Sequence, residues 1–233
     1  MTPTPQAETT DPRWKGLYKV GGAAAWTTLA IMIAQIGVFV AWPPPETVDG
    51  FFELFRENWL LGLLSLDLLY ILNNAIIIPI YLALYITLKR EAESAMLIAL
   101  VVGLVGIGSY FASSVAFEML SLSGQAALAA NDAQRSIFQA AGEAMLATYK
   151  GTAFDVYYVL NALTLLVFST VMLRSKVFAR ATAYWGLAAG VLMIIPSTAG
   201  TIGLIFSLLS LVPWAVFAAQ IAIKFTRLGA AAS

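Results

Sequence analysis

Six stretches of about 20 apolar residues or more, nearly free of charge, dominate this chain of 233 residues. They run from about Gly21 to Trp42, Trp59 to Leu88, Ala95 to Phe117, Gly151 to Leu173, Thr182 to Gly200 and Leu204 to Phe225. At about 1.5 Å of rise per residue, a helix of that length crosses the ~30 Å hydrocarbon layer of a bilayer. Soluble domains are about a quarter charged, whereas this chain is 60% hydrophobic and 11% charged. No soluble core hides so much apolar surface, so lipid must cover it. The expected fold is all-α: a polytopic integral membrane bundle of six transmembrane helices. The fifth run carries Pro196 ahead of Ser197, Thr198, Ala199 and Gly200, so its far end is expected to kink or fray.

The flanks set the domain limits and the orientation. Residues 1–14 are polar and proline-containing and read as a disordered tail; residues 15–228 form the transmembrane domain, and 229–233 a short C-terminal tail. The first run follows basic residues, as a signal peptide does. It is too long for one, however, and ends in Trp42 and Pro43 to Pro45 without a small-residue cleavage site, so it is expected to be retained. Six crossings then sort the basic residues sharply. Arg13, Lys15, Lys19, Lys89, Arg90, Arg174, Lys176, Arg180, Lys224 and Arg227 fall on one side, and only Arg56, Arg135 and Lys150 on the other. Positive loops stay in the cytoplasm, which places both termini inside. Two longer connections lie outside. Val48 to Asn58 mixes Phe51, Phe52 and Phe55 with Glu53, Arg56 and Glu57, as an interfacial helix does, and Ser121 to Lys150 carries Ile137, Ala141 and Met145 at helical spacing. Both also read as lids over the bundle.

Two spans hold a carboxylate where lipid forbids one. Asp67, Tyr70, Ile71, Leu72 and Asn73 in the second span repeat as Asp155, Tyr158, Val159, Leu160 and Asn161 in the fourth. At about 100° per residue, Asp, Tyr and Asn share one stripe of each helix. Asn74, Tyr81 and Tyr85 extend it in the second span; Tyr157 and Thr164 broaden it in the fourth. A charge facing lipid costs about 3 kcal/mol or more, so both stripes are expected to face the interior. Asp67 lies about 12 Å and Asp155 about 7–8 Å from the outer ends of their runs, and the third span brings Ser109, Ser113, Ser114 and Glu118 to that half. No lysine or arginine lies at matching depth. The aspartates must be protonated, hydrogen-bonded, or paired with a cation from outside.

Two readings follow. Asp, Tyr and Asn are either glue between helices, at about 0.6 kcal/mol per bond, or a ligand site comprising Asp67, Tyr70, Asn73, Asn74, Ser113, Asp155, Tyr158 and Asn161. If the repeat is an internal duplication, its copies run parallel, and a pseudo-two-fold axis along the membrane normal would bring them to one site. Other features point to packing: Gly186 and Gly190, the glycines at 103, 106 and 108, and the isolated Gln35 and Gln220. Pro79 and Pro213 kink their spans, while Trp42, Trp59, Tyr184 and Trp185 suit an interfacial belt.

The exclusions are broad. The chain has neither cysteine nor histidine, which removes disulfides, thiolate chemistry, the usual haem ligand and most zinc sites. A serine beside an aspartate lacks a convincing base without histidine or a buried lysine. No enzymatic activity and no cofactor is expected, and a formal net charge of zero gives no sign of a nucleic-acid partner.

The second-span motif, continued by Leu82, Ala83, Leu84 and Tyr85 into a basic turn, resembles a bacterial membrane family known only as domain of unknown function 4386. The glycine-containing fifth span after Phe178 to Arg180 is similar to it as well, although Ala179 and Ala181 stand where members often carry proline. The resemblance covers most of the chain after the tail. It implies a multi-pass protein of the bacterial inner (plasma) membrane and no activity. Function then divides between a polar pocket in the outer half, binding or transporting a small amphiphile, cation or proton, and an accessory subunit of a larger membrane assembly. The partners expected are the bilayer, a small-molecule or lipid ligand, and another membrane protein or a second copy.

Overall fold

A computed structural model describes residues 12–231, and among them every regular element is helical. A 3-10 turn at Pro12–Trp14 leads into α1 (Lys15–Ala41), followed by α2 (Val48–Glu57), α3 (Trp59–Ser65), α4 (Leu68–Leu88) and α5 (Glu93–Ser113). Then come α6 (Ala116–Ala127), α7 (Asp132–Tyr149), α8 (Thr152–Met172), α9 (Arg180–Leu192) and α10 (Gly200–Ala231). Residues 1–11 of the expected disordered tail lie outside the described residues. The expected C-terminal tail is partly helix, since α10 carries on past residue 228 to Ala231.

Five helical segments are long and apolar enough to cross a membrane: α1, α4, α5 with α6, α7 with α8, and α10. This is a multi-pass membrane protein. Together with α9 they close a ring in which each helix packs on its chain neighbours, in the order α1, α4, α5, α8, α9, α10 and back to α1. Large apolar side chains cover the ring's outside, among them Ile33, Val40, Ile98, Val101, Ile202 and Val212, all more than half exposed. Inside, Phe168, Phe225, Leu84, Leu88, Met96 and Met172 are fully buried. Glycine permits the close crossings. A Cβ on Gly190 of α9 would come within 2.8 Å of the Leu166 side chain on α8, so the close packing expected of Gly186 and Gly190 is present.

The fifth run departs from a full span. Of Thr182 to Gly200, α9 covers only the part to Leu192; α9 has 13 residues, about 20 Å of rise. Pro196 has no N–H to extend the helix and biases the residue before it away from the α region. The chain turns at Met193–Ala199, with Ala199 N–H donating to the Pro196 carbonyl at 3.0 Å, and restarts at Gly200, whose φ is +66°.

One end of the ring is capped. Thr47 and Asn58 accept from the Gly50 and Leu61 amides, which sets the starts of α2 and α3. Asn58 also ends α2. Phe51, Phe52 and Phe55 of α2 are buried against Leu63, Leu66 and Met119, while Glu53, Arg56 and Glu57 are exposed. The apolar face of α2 thus rests on α3, α6 and α7. Ser123 Oγ donates to the Phe52 carbonyl at 2.9 Å, and Gln139 Nε2 to Asp49 Oδ1 at 2.6 Å. The connection is helical and amphipathic, as expected, and its apolar face packs on the capping helices.

Candidate functional site

The second span is broken where its aspartate lies. The α3 helix closes with the Leu66 amide shared between the Gly62 and Leu63 carbonyls, both at 3.2 Å. Asp67 then takes up left-handed backbone angles, φ 63° and ψ 28°, and α4 restarts with Ile71 N–H donating to the Asp67 carbonyl at 3.0 Å. Glycine usually fills such a position, and aspartate tolerates it better than most residues. The break exposes carbonyls of α3. Gln35 of α1, itself fully buried, donates its Nε2 to the Leu64 carbonyl at 3.2 Å. A residue that sequence reasoning treated as a packing contact therefore supports the interruption.

Asp67 is 7% exposed. Its carboxylate accepts a hydrogen bond from the hydroxyl of Tyr149, the last residue of α7. Tyr110 of α5 lies beside the same carboxylate without completing a bond of good geometry, and Tyr70 is within electrostatic reach. No lysine or arginine is among these neighbours. Several buried oxygens on the surrounding helices also lack a donor: Gln35 Oε1, Ser65 Oγ, Asn73 Oδ1, Asn74 Oδ1 and the Tyr110 hydroxyl. An acidic side chain thus lies under the lid among tyrosines, with no lysine or arginine among those neighbours.

The fourth span repeats the pattern only in part. A break at Lys150–Gly151 separates α7 from α8, and Asp155 sits in the first turn of α8. It is half-buried and accepts from the Thr198 hydroxyl in the turn after α9. The stripes do face inward. Tyr81 donates to Asn161 Oδ1 at 2.6 Å, joining α4 to α8, and Tyr157 approaches Asn74. Tyr158 and Ser207 of α10 share a hydrogen bond of 2.5 Å. The two stripes adjoin, with Tyr70 within electrostatic reach of both Asp67 and Tyr158, while the aspartates themselves bond different partners. The expected two-fold axis does not fit. The α4 and α8 helices are next but one in a ring of six, with α5 between them, whereas copies related by a two-fold at the ring's centre would lie opposite each other.

The expected serine vestibule is also absent. Ser113 is buried, but its hydroxyl donates to the Tyr110 carbonyl of its own helix at 2.8 Å; Ser114 does likewise, and Glu118 is exposed. Tyrosines take that place. The Tyr110 and Tyr157 rings are 4.8 Å apart, and Phe154 and Tyr158 adjoin them. Below this cluster, Tyr81, Tyr157 and Asn161 border a cavity of about 60 Å³ whose other walls include Phe168, Trp214 and Phe217. Further down, Leu84, Leu88, Phe168 and Met172 pack without exposure. The polar column extends from the lid to mid-bundle and stops. Tyr149 lies four residues beyond Met145, so extending the spacing seen in Ile137, Ala141 and Met145 by one turn reaches it. Tyr110 and Thr198 carry no comparable signal.

A family model described as Domain of unknown function (DUF4386) matches residues 19–225. No curated protein matches the chain, and no solved structure does.

Proposed function

The chain belongs to this family, whose description assigns no activity, and from that premise we propose a non-enzymatic bacterial inner-membrane protein that binds a proton or a small monovalent cation at Asp67. In this reading the chain crosses six times, with α9 and the turn after it as the fifth crossing. Both ends are cytoplasmic, and the lid and Asp67 face outward. The observation that carries it is the buried carboxylate at the break between α3 and α4, with tyrosines beside it and no lysine or arginine among those neighbours. Interrupted helices are the form that coupling-ion sites take in many transporters, because irregular backbone at membrane depth survives only where something polar satisfies it. A small ion is favoured over an amphiphile because Asp67 is buried, 7% exposed, and engaged by the Tyr149 hydroxyl.

Thermal unfolding of the purified protein in neutral detergent tests this, across a pH series and in sodium, potassium, lithium or choline chloride. A ligand that binds only the folded state raises the midpoint by mass action. The expected result is a midpoint that depends on pH or on one cation, with the dependence lost in Asp67→Asn while the fold persists. The same flat response in both proteins would refute the assignment. Stoichiometric copurification of another membrane protein, together with that flat response, would favour the accessory-subunit reading.

A further inference from the structure

The opposite end of the ring holds a second feature, independent of Asp67. A cleft of about 630 Å³ opens between the start of α1 and the end of α4. Arg13, Lys89 and Arg90 line it with Trp14, Tyr18 and Ile86, and none of the described residues lining it is acidic. Lys89 is held over two rings, its Nζ 5.9 Å from the centre of Trp14 and 5.8 Å from that of Tyr85. Such contacts hold the ammonium at the mouth and leave its N–H donors available. Arg13 supplies a planar fork suited to phosphate oxygens, and so does Arg90.

The cleft's surroundings identify its occupant. Leu82, one helical turn before the lining residue Ile86 on α4, and Val20, two residues past the lining residue Tyr18 on α1, are both exposed apolar side chains. Trp14 is exposed at the rim, where indoles favour the headgroup layer. Ten of the 13 basic residues lie at this end by the charge sorting of the connections. We propose that this cleft binds the phosphate of an anionic phospholipid, with Arg13, Lys89 and Arg90 around the headgroup and an acyl chain along the seam between α1 and α4. Basic pockets between membrane helices recognise such headgroups through charge and hydrogen bonding. A free phosphate ion offers the same oxygens. It would leave these apolar side chains unused.

The test uses the full chain in neutral detergent, with intrinsic tryptophan fluorescence following thermal unfolding. The additives are dioctanoyl phosphatidylglycerol, dioctanoyl phosphatidylcholine and inorganic phosphate. Phosphatidylglycerol should raise the midpoint saturably, while phosphatidylcholine and phosphate should leave it unchanged. Lys89→Gln with Arg90→Gln should weaken the apparent affinity about thirtyfold, since each cation near an anionic surface contributes about a factor of five. Arg13→Gln alone should weaken it by one such factor, which keeps the test open if the double variant folds poorly. Arg174→Gln with Lys176→Gln removes the same charge from the α8–α9 turn, across the ring, and should change little. Equal loss in that control would reduce the effect to general charge attraction and overturn the site. A response to inorganic phosphate equal to that of phosphatidylglycerol would overturn the lipid assignment.

Discussion

Replacement of Asp67 separates backbone strain from hydrogen bonding at the break between α3 and α4. The left-handed conformation at φ 63° costs an ordinary L-residue about 1–2 kcal/mol, costs asparagine and aspartate less, and costs glycine nothing. The bond from Tyr149 to the carboxylate is worth about 1.5–3 kcal/mol if the acid is charged, and about 1 kcal/mol if neutral. Asp67→Ala loses the bond and adds at most that strain, so it should destabilise by about 1.5–5 kcal/mol if the acid is charged. Asp67→Gly loses the bond alone and should be less damaging than alanine by about 1 kcal/mol, or about 2–4 °C in a chain of this size. Asp67→Asn retains both an acceptor and tolerance of the conformation and should lie closest to the parent. Equilibrium thermal unfolding in detergent ranks the three as asparagine, glycine, alanine. An alanine variant as stable as the glycine variant would refute stored strain at this position. An asparagine variant no better than alanine would refute the hydrogen bond as the main contribution of the side chain.

Three further outcomes follow from the packing and the charge pattern. Gly186→Leu should lower the unfolding midpoint, at a cost of about 1–3 kcal/mol, because a Cβ there already meets the Phe217 ring at 2.9 Å; Gly108→Ala, with nothing within 4 Å, should be neutral or raise it slightly. Tyr149→Phe should destabilise the parent more than it destabilises Asp67→Asn, with a coupling of about 0.5–3 kcal/mol in a double-mutant cycle of unfolding measurements. Single cysteines at Gln134 and Lys176, both exposed, should react with an impermeant thiol reagent in intact cells at Gln134 alone.

Much of the architecture was legible because it rests on averages over many residues. Each apolar run sums some 20 weak preferences, and the all-helical chain with its membrane-crossing segments follows from that sum. The breaks do not average. The α3 helix stops at Ser65 within a run of apolar residues that includes Leu63, Leu64 and Leu66, with no glycine or proline at the junction. The interruption depends on Asp67 taking the left-handed region and on Gln35, 29 positions away from Leu64, satisfying a freed carbonyl. Pro196, by contrast, marks a local steric fact, and the failure of the fifth run near it could be read directly.

The site was half legible for a related reason. A carboxylate in an apolar run must be buried and satisfied, so the inward stripes of Asp67, Asn73 and Asn161 follow from cost alone. Which group satisfies it depends on tertiary placement, and the serines at matching depth turned out to bond their own helix, as hydroxyls in helices often do. Tyrosine took over because its hydroxyl lies far from the backbone and reaches across a helix gap that serine cannot span. That choice ties the lid to the break. The α7 helix holds Asp67 through Tyr149, whose hydroxyl engages one carboxylate oxygen, Oδ2, so under the proposed function a cation taking that oxygen displaces the bond. Under that proposal, occupancy of Oδ2 and the position of α7 are linked through a single side-chain contact, and whichever is perturbed first biases the other.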